Sequence, residues 1–440
     1  MEAFKIKNGL SAKRYLGSTT TLSGSTIDLS LGSMFSTTLS SDPAYAFTNP
    51  PASGNAQAFS VEVTGGTTTF TQDSFATTLY AGTSAAQTIT NGINLSGDGG
   101  LVWLKVRNAG GDNYLIDTER GGSELLSSNS DSASSTVDTY PVGNGTRADS
   151  TGFSIGPGGA INGSGFNYVS WTFKKQAKFF DIVTWTGDGV SGRTISHSLN
   201  SEVGFYVVKR LDASGDWRTF HRFSDSATHP NIAYLNGTSG GVFESDKLTA
   251  TSTTFTIEGG FNGDFNSTGH TYVAYLFAHD TASDSRVKCG SYTGGGNSDV
   301  EVNLGWKPQW LLVRRSDAAE DWYILDTARG LGSDGDLNAN LEPNLSSAET
   351  SSSTRVAVTD TGFFTTSNTG SFNASGGNYI YIAIRASTAT DSAITWPSSV
   401  KWPSGVSPTT PAAGTKDLFT FLTTDGGTTY YGKKAAEGLA

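Results

Sequence analysis

Cysteine, methionine and charged residues are scarce in this sequence. Its 440 residues include one cysteine and two methionines, and only 16% carry a charge. The single cysteine, Cys289, cannot form an internal disulfide, which excludes a disulfide-stabilised scaffold. The longest apolar run, Tyr272–Ala278, is far shorter than the roughly 20 residues of a membrane-spanning helix. We therefore expect no membrane insertion.

Positive charge is also scarce. The chain has 29 Lys and Arg against 40 Asp and Glu, for a net charge of −11. Such a chain has no general attraction to nucleic acid or to anionic membrane surfaces. No apolar run follows the basic residues between Lys5 and Arg14, so we expect no signal peptide and synthesis in the cytoplasm.

The side chains that usually hold metals or cofactors are sparse. None of the five histidines has a neighbour at the spacing that places two ligands on one helix face; they are His197, His221, His229, His270 and His279. The segment Asp334–Glu342 alternates oxygen-bearing residues but lacks the glycine and final acid of an EF-hand loop. A solvated polar loop is the favoured interpretation there, and we expect no metal and no cofactor.

Glycine, serine, threonine and short β-branched or aromatic runs make up much of the remainder. The 54 glycines fall mostly in polar clusters between these runs. This pattern is typical of many strands joined by turns. The sequence therefore predicts an all-β fold.

One motif, Asn-x-Ser/Thr-Gly-x-x-Tyr-Val/Ile, occurs three times, with its tyrosine at Tyr168, Tyr272 and Tyr379. A Thr-x-Phe precedes each tyrosine, and an apolar run ending in a basic residue lies further upstream. A period of about 105 residues fits one jelly-roll-like β-sandwich per repeat. The strand after each tyrosine alternates, and we expect its apolar face to pack against a second sheet.

These landmarks divide the chain into five parts. The expected repeats are 67–177, 178–284 and 285–388. The flanking segments 1–66 and 389–440 are each too short for a comfortable core. We expect them to form one split β domain, used for anchoring or assembly, into which the tandem repeats are inserted.

Carboxyl pairs are the first candidates for catalysis, because glycoside hydrolysis needs two carboxyls about 5–10 Å apart. Asp117 and Glu119 have a suitable spacing, with Asp326 at the equivalent place in the third repeat. However, Ala328 replaces the second acid there, and His221 stands where the second repeat would have the aspartate. An ion pair with the arginine three residues later is favoured, and we expect no enzymatic activity.

Aromatic residues beside polar turns are candidates for glycan binding, because sugar rings stack on exposed aromatic faces. The candidates are Tyr114, Trp217 and Trp322. The alternative is that these rings fold back onto the sheet as part of the core.

Both ends of the chain resemble a small β module of bacteriophage virion proteins. Phe47–Gly54 followed by Phe59–Val63 resembles its first half. Its second half is similar to Ile394–Pro403 followed by Asp417–Phe421 and Thr424–Gly432. The two halves are normally adjacent in those proteins. Here about 320 residues separate them, which agrees with a split domain.

The repeats are similar to a repeated domain of marine phage structural proteins, through the Asp-Thr-x-Arg-Gly segments and the Asn-x-Ser-Gly-x-x-Tyr motif. Those domains are likened to concanavalin-like jelly rolls. The resemblance implies a virion protein, a tail-fibre or head-fibre appendage for assembly and host attachment. Its implied partners are other tail or capsid proteins and a host-surface glycan, and its implied state is a homotrimer. A capsid decoration protein and a glycan-binding or glycan-depolymerising tailspike are the alternatives.

Overall fold

The computed structural model is all-β, with tandem β-sandwich repeats, as the sequence predicts. It describes residues 19–22, 24–39, 44–64, 67–69, 73–138, 142, 145–222, 233–239, 249–257, 265–282, 285–332, 338–352, 356–366, 370–386, 389–391, 394–403, 405, 407–408, 411 and 415–439. Three segments discussed above lie wholly or partly outside these residues: the basic N-terminal stretch, His229, and the Asp334–Asp336 part of the polar loop.

The chain forms two compact units. The split unit combines Met1–Thr69 with Thr388–Ala440, and the repeat unit is Phe70–Ser387. The N-terminal part of the split unit contributes β1 (Thr20–Thr21), β2 (Thr26–Asp28), β3 (Met34–Thr38), β4 (Ala46–Thr48), β5 (Gln57–Thr64) and β6 (Thr67–Thr69).

Repeat 1 is a sandwich of a six-stranded sheet, ordered β12-β11-β10-β9-β15-β7, and a three-stranded sheet, ordered β13-β14-β8. Its elements are β7 (Phe75–Ala81), β8 (Gln87–Thr90), α1 (Leu95–Asp98), β9 (Gly100–Val106), β10 (Asn113–Asp117), β11 (Glu124–Ser127), β12 (Ser135–Thr136), β13 (Thr146–Asp149), β14 (Gly152–Ile155), α2 (Gly159–Asn162) and β15 (Asn167–Lys174).

Repeat 2 has a five-stranded sheet, ordered β16-β23-β18-β19-β20, and a three-stranded sheet, ordered β17-β22-β21. Its strands are β16 (Phe180–Thr186), β17 (Arg193–Ser196), β18 (Glu202–Arg210), β19 (Arg218–His221), β20 (Ala233–Tyr234), β21 (Thr249–Ala250), β22 (Thr254–Ile257) and β23 (Thr271–His279).

Repeat 3 has a four-stranded sheet, ordered β24-β32-β26-β27, a three-stranded sheet, ordered β25-β31-β30, and the pair β28-β29. A 3₁₀ turn, Thr327–Arg329, follows β27. The strands are β24 (Val287–Thr293), β25 (Val300–Asn303), β26 (Pro308–Arg315), β27 (Trp322–Asp326), β28 (Asn338–Asn340), β29 (Thr350–Ser352), β30 (Val356–Thr359), β31 (Gly362–Thr365) and β32 (Asn378–Arg385).

The chain then returns to the split unit, where the two ends of the sequence form one sheet ordered β1-β3-β5-β35-β36-β34. Strand β5 pairs antiparallel with β35, so that Phe59 lies opposite Phe421. The last strands are β33 (Ala389–Asp391), β34 (Val400–Lys401), β35 (Lys416–Thr423) and β36 (Tyr430–Leu439).

The split unit reaches Thr69 rather than residue 66, because β6 pairs with β33. Ala389 lies opposite Thr69 in this pair. The points at which the chain leaves and re-enters the split unit are therefore joined by strand pairing, which suits the insertion of a large segment.

The three repeats share one hydrophobic core. This core includes an apolar residue from the alternating strand after each motif tyrosine, namely Trp171, Tyr275 and Ile382. The expected alternation is present, but this apolar face packs against neighbouring repeats and not against the second sheet of its own sandwich. The opposite faces of the large sheets in repeats 1 and 3 cover the smaller sheets of their own sandwiches. Both faces of the central strands are thus buried, and the shared core encloses a void of only about 10 Å³.

Three buried cations connect the repeats. Lys105, Lys209 and Arg314 occupy equivalent positions, each opposite the residue that follows a motif tyrosine. Each donates to a backbone carbonyl of another repeat: Lys105 to Leu345 at 3.4 Å, Lys209 to Asp131 at 3.1 Å and Arg314 to Tyr234 at 3.1 Å. Repeat 1 therefore contacts repeat 3, repeat 2 contacts repeat 1, and repeat 3 contacts repeat 2, which closes a ring.

The repeated motif is architectural. The Asn162 side chain is fully buried and donates to the carbonyls of Ala85 and Gly156 at 2.7 and 2.8 Å, while its oxygen accepts from the Thr83 N–H at 2.9 Å. Asn266 and Asn373 hold the equivalent loops of repeats 2 and 3. The motif tyrosine accepts a hydrogen bond from the same turn.

One glycine in each of these loops permits the close approach of the two segments. A Cβ at this position would lie about 2 Å from a carbonyl oxygen of the motif turn, far inside van der Waals contact. The glycines and the oxygens are Gly82 against Gly163, Gly187 against Ser267, and Gly294 against Ala374.

We predict that Asn162→Ala lowers the free energy of unfolding by about 3 kcal/mol, because it removes the side-chain donor to the buried Gly156 carbonyl and the acceptor of the Thr83 N–H and the Gln87 side chain. Ser164→Ala, at an exposed position of the same turn, should change it by less than about 0.5 kcal/mol. Urea denaturation of both variants measures the difference. Equal stability of the two variants would contradict the architectural role.

Candidate functional site

The tryptophans expected to bind glycans lie inside the protein. Trp217 and Trp322 are 0% and 1% exposed, so neither indole offers a face to a sugar, and that expectation is wrong for both. Trp217 Nε1 donates to the Ser130 carbonyl of repeat 1 at 3.0 Å, and Trp322 Nε1 donates to the Tyr234 carbonyl of repeat 2 at 2.9 Å. They belong to the contacts that close the ring.

Tyr114 is not equivalent to these tryptophans. Strand pairing places Asn113 opposite Lys105, as Trp322 lies opposite Arg314. Asn113 Nδ2 donates to the Leu345 carbonyl of repeat 3 at 2.8 Å, which completes the same contact around the ring. Tyr114 is partly exposed and packs on the core of repeat 1.

The two Asp–Arg pairs tie down turns, as the favoured interpretation of the sequence predicts. Arg120 Nε lies 2.6 Å from Asp117 Oδ2, and Arg329 Nε lies 2.7 Å from Asp326 Oδ2. In each case the aspartate also accepts from the arginine's own backbone N–H. All four side chains are almost completely buried.

Each buried aspartate also receives a hydrogen bond from the next repeat. Tyr275 of repeat 2 donates to Asp117 Oδ2 at 2.6 Å, and Trp171 of repeat 1 donates to Asp326 Oδ2 at 2.9 Å. Burial raises the pKa of Tyr275 well above its ordinary value, so its hydroxyl keeps the proton that it donates. The aspartates therefore help to join the repeats.

His221 takes the place of the aspartate in repeat 2. Its Nε2 lies 3.0 Å from the carbonyl oxygen of Tyr381 in repeat 3, so this nitrogen carries the proton and donates. Burial lowers the pKa of His221 to about 3. A neutral imidazole thus makes the third of these contacts around the ring.

Asp117 and Glu119 do not line one cleft. Cleft A, about 420 Å³, lies in repeat 1 and includes Asp117; cleft B, about 620 Å³, lies between repeats 1 and 2 and includes Glu119. Glu119 pairs with Lys175 at 2.5 Å. The structure therefore does not assemble these two acids as a catalytic pair.

Cleft B is lined by polar and apolar groups. Repeat 1 contributes Glu119, Arg120, Glu124 and Ser134, and repeat 2 contributes Thr184, Trp185, Thr186, Leu211, Asp212, Thr271 and Tyr272. Its volume falls within the roughly 300–1,000 Å³ that is common for small-molecule sites. No pattern in the sequence indicated it, because its residues come from two repeats.

In the described ranges, no three His, Cys, Asp or Glu side chains are grouped closely enough to hold a metal ion. No helix in this part of the chain is long and apolar enough to cross a membrane.

Residues 71–387 match the family described as a domain of unknown function, DUF7483. The chain belongs to the DUF7483 family. No curated protein and no solved structure matches it significantly. The DUF7483 match covers nearly the whole of the repeat unit, which is Phe70–Ser387. All three repeats therefore lie within one DUF7483 domain, as their shared core requires.

We predict that acidification destabilises this DUF7483 domain through His221. The unfolded chain binds a proton at this residue below about pH 6.5, whereas the folded protein does so only near pH 3. Stability is therefore lost as the pH falls between these values, by about 2 kcal/mol at pH 5 from this residue alone.

The variant His221→Gln keeps an N–H donor and does not titrate. Its free energy of unfolding should fall less steeply than that of the wild type between pH 7 and pH 5, as measured by urea denaturation. Some slope should persist, because burial also lowers the pKa of His197 and of His279. Parallel curves for wild type and variant would contradict the assignment.

Proposed function

We propose that this protein is a non-enzymatic structural protein of a bacteriophage particle, an appendage of the tail-fibre or head-fibre type. The split unit attaches the chain to other virion proteins, and the DUF7483 repeat unit contributes to attachment at the host surface. This function places the protein in the virion after synthesis in the cytoplasm.

The single observation that carries the proposal is the connectivity. Both ends of the chain enter one unit through the β5–β35 and β6–β33 pairs. A segment inserted in this way is held at two points of one anchor. Such a connection suits an appendage, because a load on the inserted segment is then shared between two strands.

The contacts of the acidic residues support a non-enzymatic role. The Asp117 carboxylate accepts from Arg120, Tyr275 and a backbone N–H, and Asp326 accepts from Arg329, Trp171 and a backbone N–H. A catalytic carboxyl must instead reach substrate or water. These groups stabilise the fold.

Immunogold microscopy tests the proposal. Antibodies raised against the full chain are applied to phage particles produced by cells that carry the gene, with excess soluble chain as the competition control. Label on tail or head appendages that the competitor removes is the expected result. Label spread over the capsid surface would favour the decoration alternative, and protein that does not sediment with particles would contradict the proposal. The homotrimeric state stays a prediction, and the molar mass of the purified chain in solution tests it.

A further inference from the structure

Cleft B lies at the interface between repeats 1 and 2. This interface can be compared with the one between repeats 3 and 1, because equivalent residues form both. The Ser134 N–H donates to the Leu211 carbonyl at 2.8 Å, and the Glu349 N–H donates to the Arg107 carbonyl at the same distance. Ser134 is therefore equivalent to Glu349, and Leu211 is equivalent to Arg107.

An ion pair occupies the space between repeats 3 and 1. Arg107 donates to both carboxylate oxygens of Glu349 at 2.9 and 2.7 Å, and Arg329 Nη1 donates to Glu349 Oε2 at 3.2 Å. Although burial opposes its ionisation, these hydrogen bonds and the charge of Arg329 lower the pKa of Glu349. The carboxylate is thus held charged between two arginines.

Between repeats 1 and 2, this ion pair is missing. Serine and leucine stand in the two positions, and Arg120 Nη1, equivalent to Arg329 Nη1, donates to Ser134 Oγ at 3.3 Å. The two shorter side chains leave the volume of cleft B open. The cleft is therefore a specific difference between two otherwise equivalent interfaces.

Cleft B also contains a carboxylate, but it belongs to Glu124 on β11, the strand that pairs with β12. Glu124 lies opposite Thr136, in the position that Ala339 occupies opposite Ser351 in repeat 3. Its two oxygens accept from the hydroxyl groups of Ser134 and Thr136 at 2.8 and 2.9 Å. These bonds hold the carboxylate against the wall of the cleft and keep the centre open.

The charges of the lining indicate the chemistry of the occupant. Glu119, Glu124 and Asp212 supply carboxylate oxygens, and the charge of Arg120 is balanced by Asp117. Lys175 pairs with Glu119, and Arg210 pairs with Asp212. An anionic ligand would be repelled by the Glu124 carboxylate, whose two oxygens accept from uncharged hydroxyl groups. A neutral polyol can donate hydroxyl hydrogens to carboxylates and can also accept from a guanidinium group.

We propose that cleft B binds a neutral saccharide unit of a host-surface glycan. Its hydroxyl groups would donate to Glu124 and Asp212, and the apolar face of its ring would lie against Leu211. The inference gives the attachment part of the proposed function a site and rests on it. Tyr114, Trp217 and Trp322 take no part.

A glycan array probed with the purified full chain tests this site. The array carries neutral oligosaccharides of glucose, galactose, mannose and N-acetylglucosamine, with sialylated and sulfated members as the anionic arm. Wild-type protein should bind at least one neutral member and discriminate against the anionic ones. Binding to no member, or to anionic members alone, would overturn the proposal.

The variant Ser134→Glu/Leu211→Arg copies the filled interface into cleft B. It should reduce binding at least tenfold. The control variant Ser164→Glu/Val190→Arg introduces the same residues at exposed positions outside the cleft and should bind like wild type. Glu124→Gln keeps the shape of the cleft and should also weaken binding, which gives a second test if the filled variant folds poorly. Undiminished binding by Glu124→Gln and any folded filled variant would overturn the assignment.

These results are separate from the particle labelling. Glycan binding with no label on particles would leave the cleft assignment standing and contradict the virion role. Label on particles with no glycan binding would support the virion role and overturn the cleft assignment.

Discussion

Burial of both faces of the large sheets is the constraint on which the rest of the structure depends. A sandwich domain ordinarily covers one face of each sheet and leaves the other to water. Here strands such as β9, β23 and β32 carry apolar side chains on both faces, and each outer face can be covered only by other repeats. Three repeats in one chain satisfy this requirement by closing a ring, so each sandwich depends on its two neighbours.

Charged and polar groups at the ring contacts follow from the same constraint. The contacts between repeats bring backbone carbonyls into an apolar interior, where an unpaired carbonyl is costly. Lys105, Lys209 and Arg314 supply donors to these carbonyls, and buried aspartates receive donors from neighbouring strands. Side chains that resemble catalytic or sugar-binding groups in the sequence thus serve the assembly of the repeats. Cleft B opens where two such positions have changed to serine and leucine.

Much of the fold could be predicted from the sequence, because strand alternation, turns and the repeated motif are local signals. The motif asparagines and tyrosines mark turns, and the Asp117–Arg120 pair follows from a spacing of three residues. The ring could not be predicted in this way. Alternation in Val169, Trp171 and Phe173 shows that one face is apolar but does not show which sheet covers it. The sequence prediction that Tyr114 is equivalent to Trp217 and Trp322 failed for a similar reason. The polar Asn113 occupies the equivalent position, and only strand pairing reveals this.

We expect the three repeats to unfold as one cooperative unit. Pulse-labelling hydrogen exchange of the full chain across a urea series, read by mass spectrometry, follows peptides from β15, β23 and β32 separately. All three should lose protection at the same urea concentration, because no large sheet can keep its outer face buried after a neighbour unfolds. Loss of protection in one repeat while the other two remain protected would contradict this cooperative unfolding.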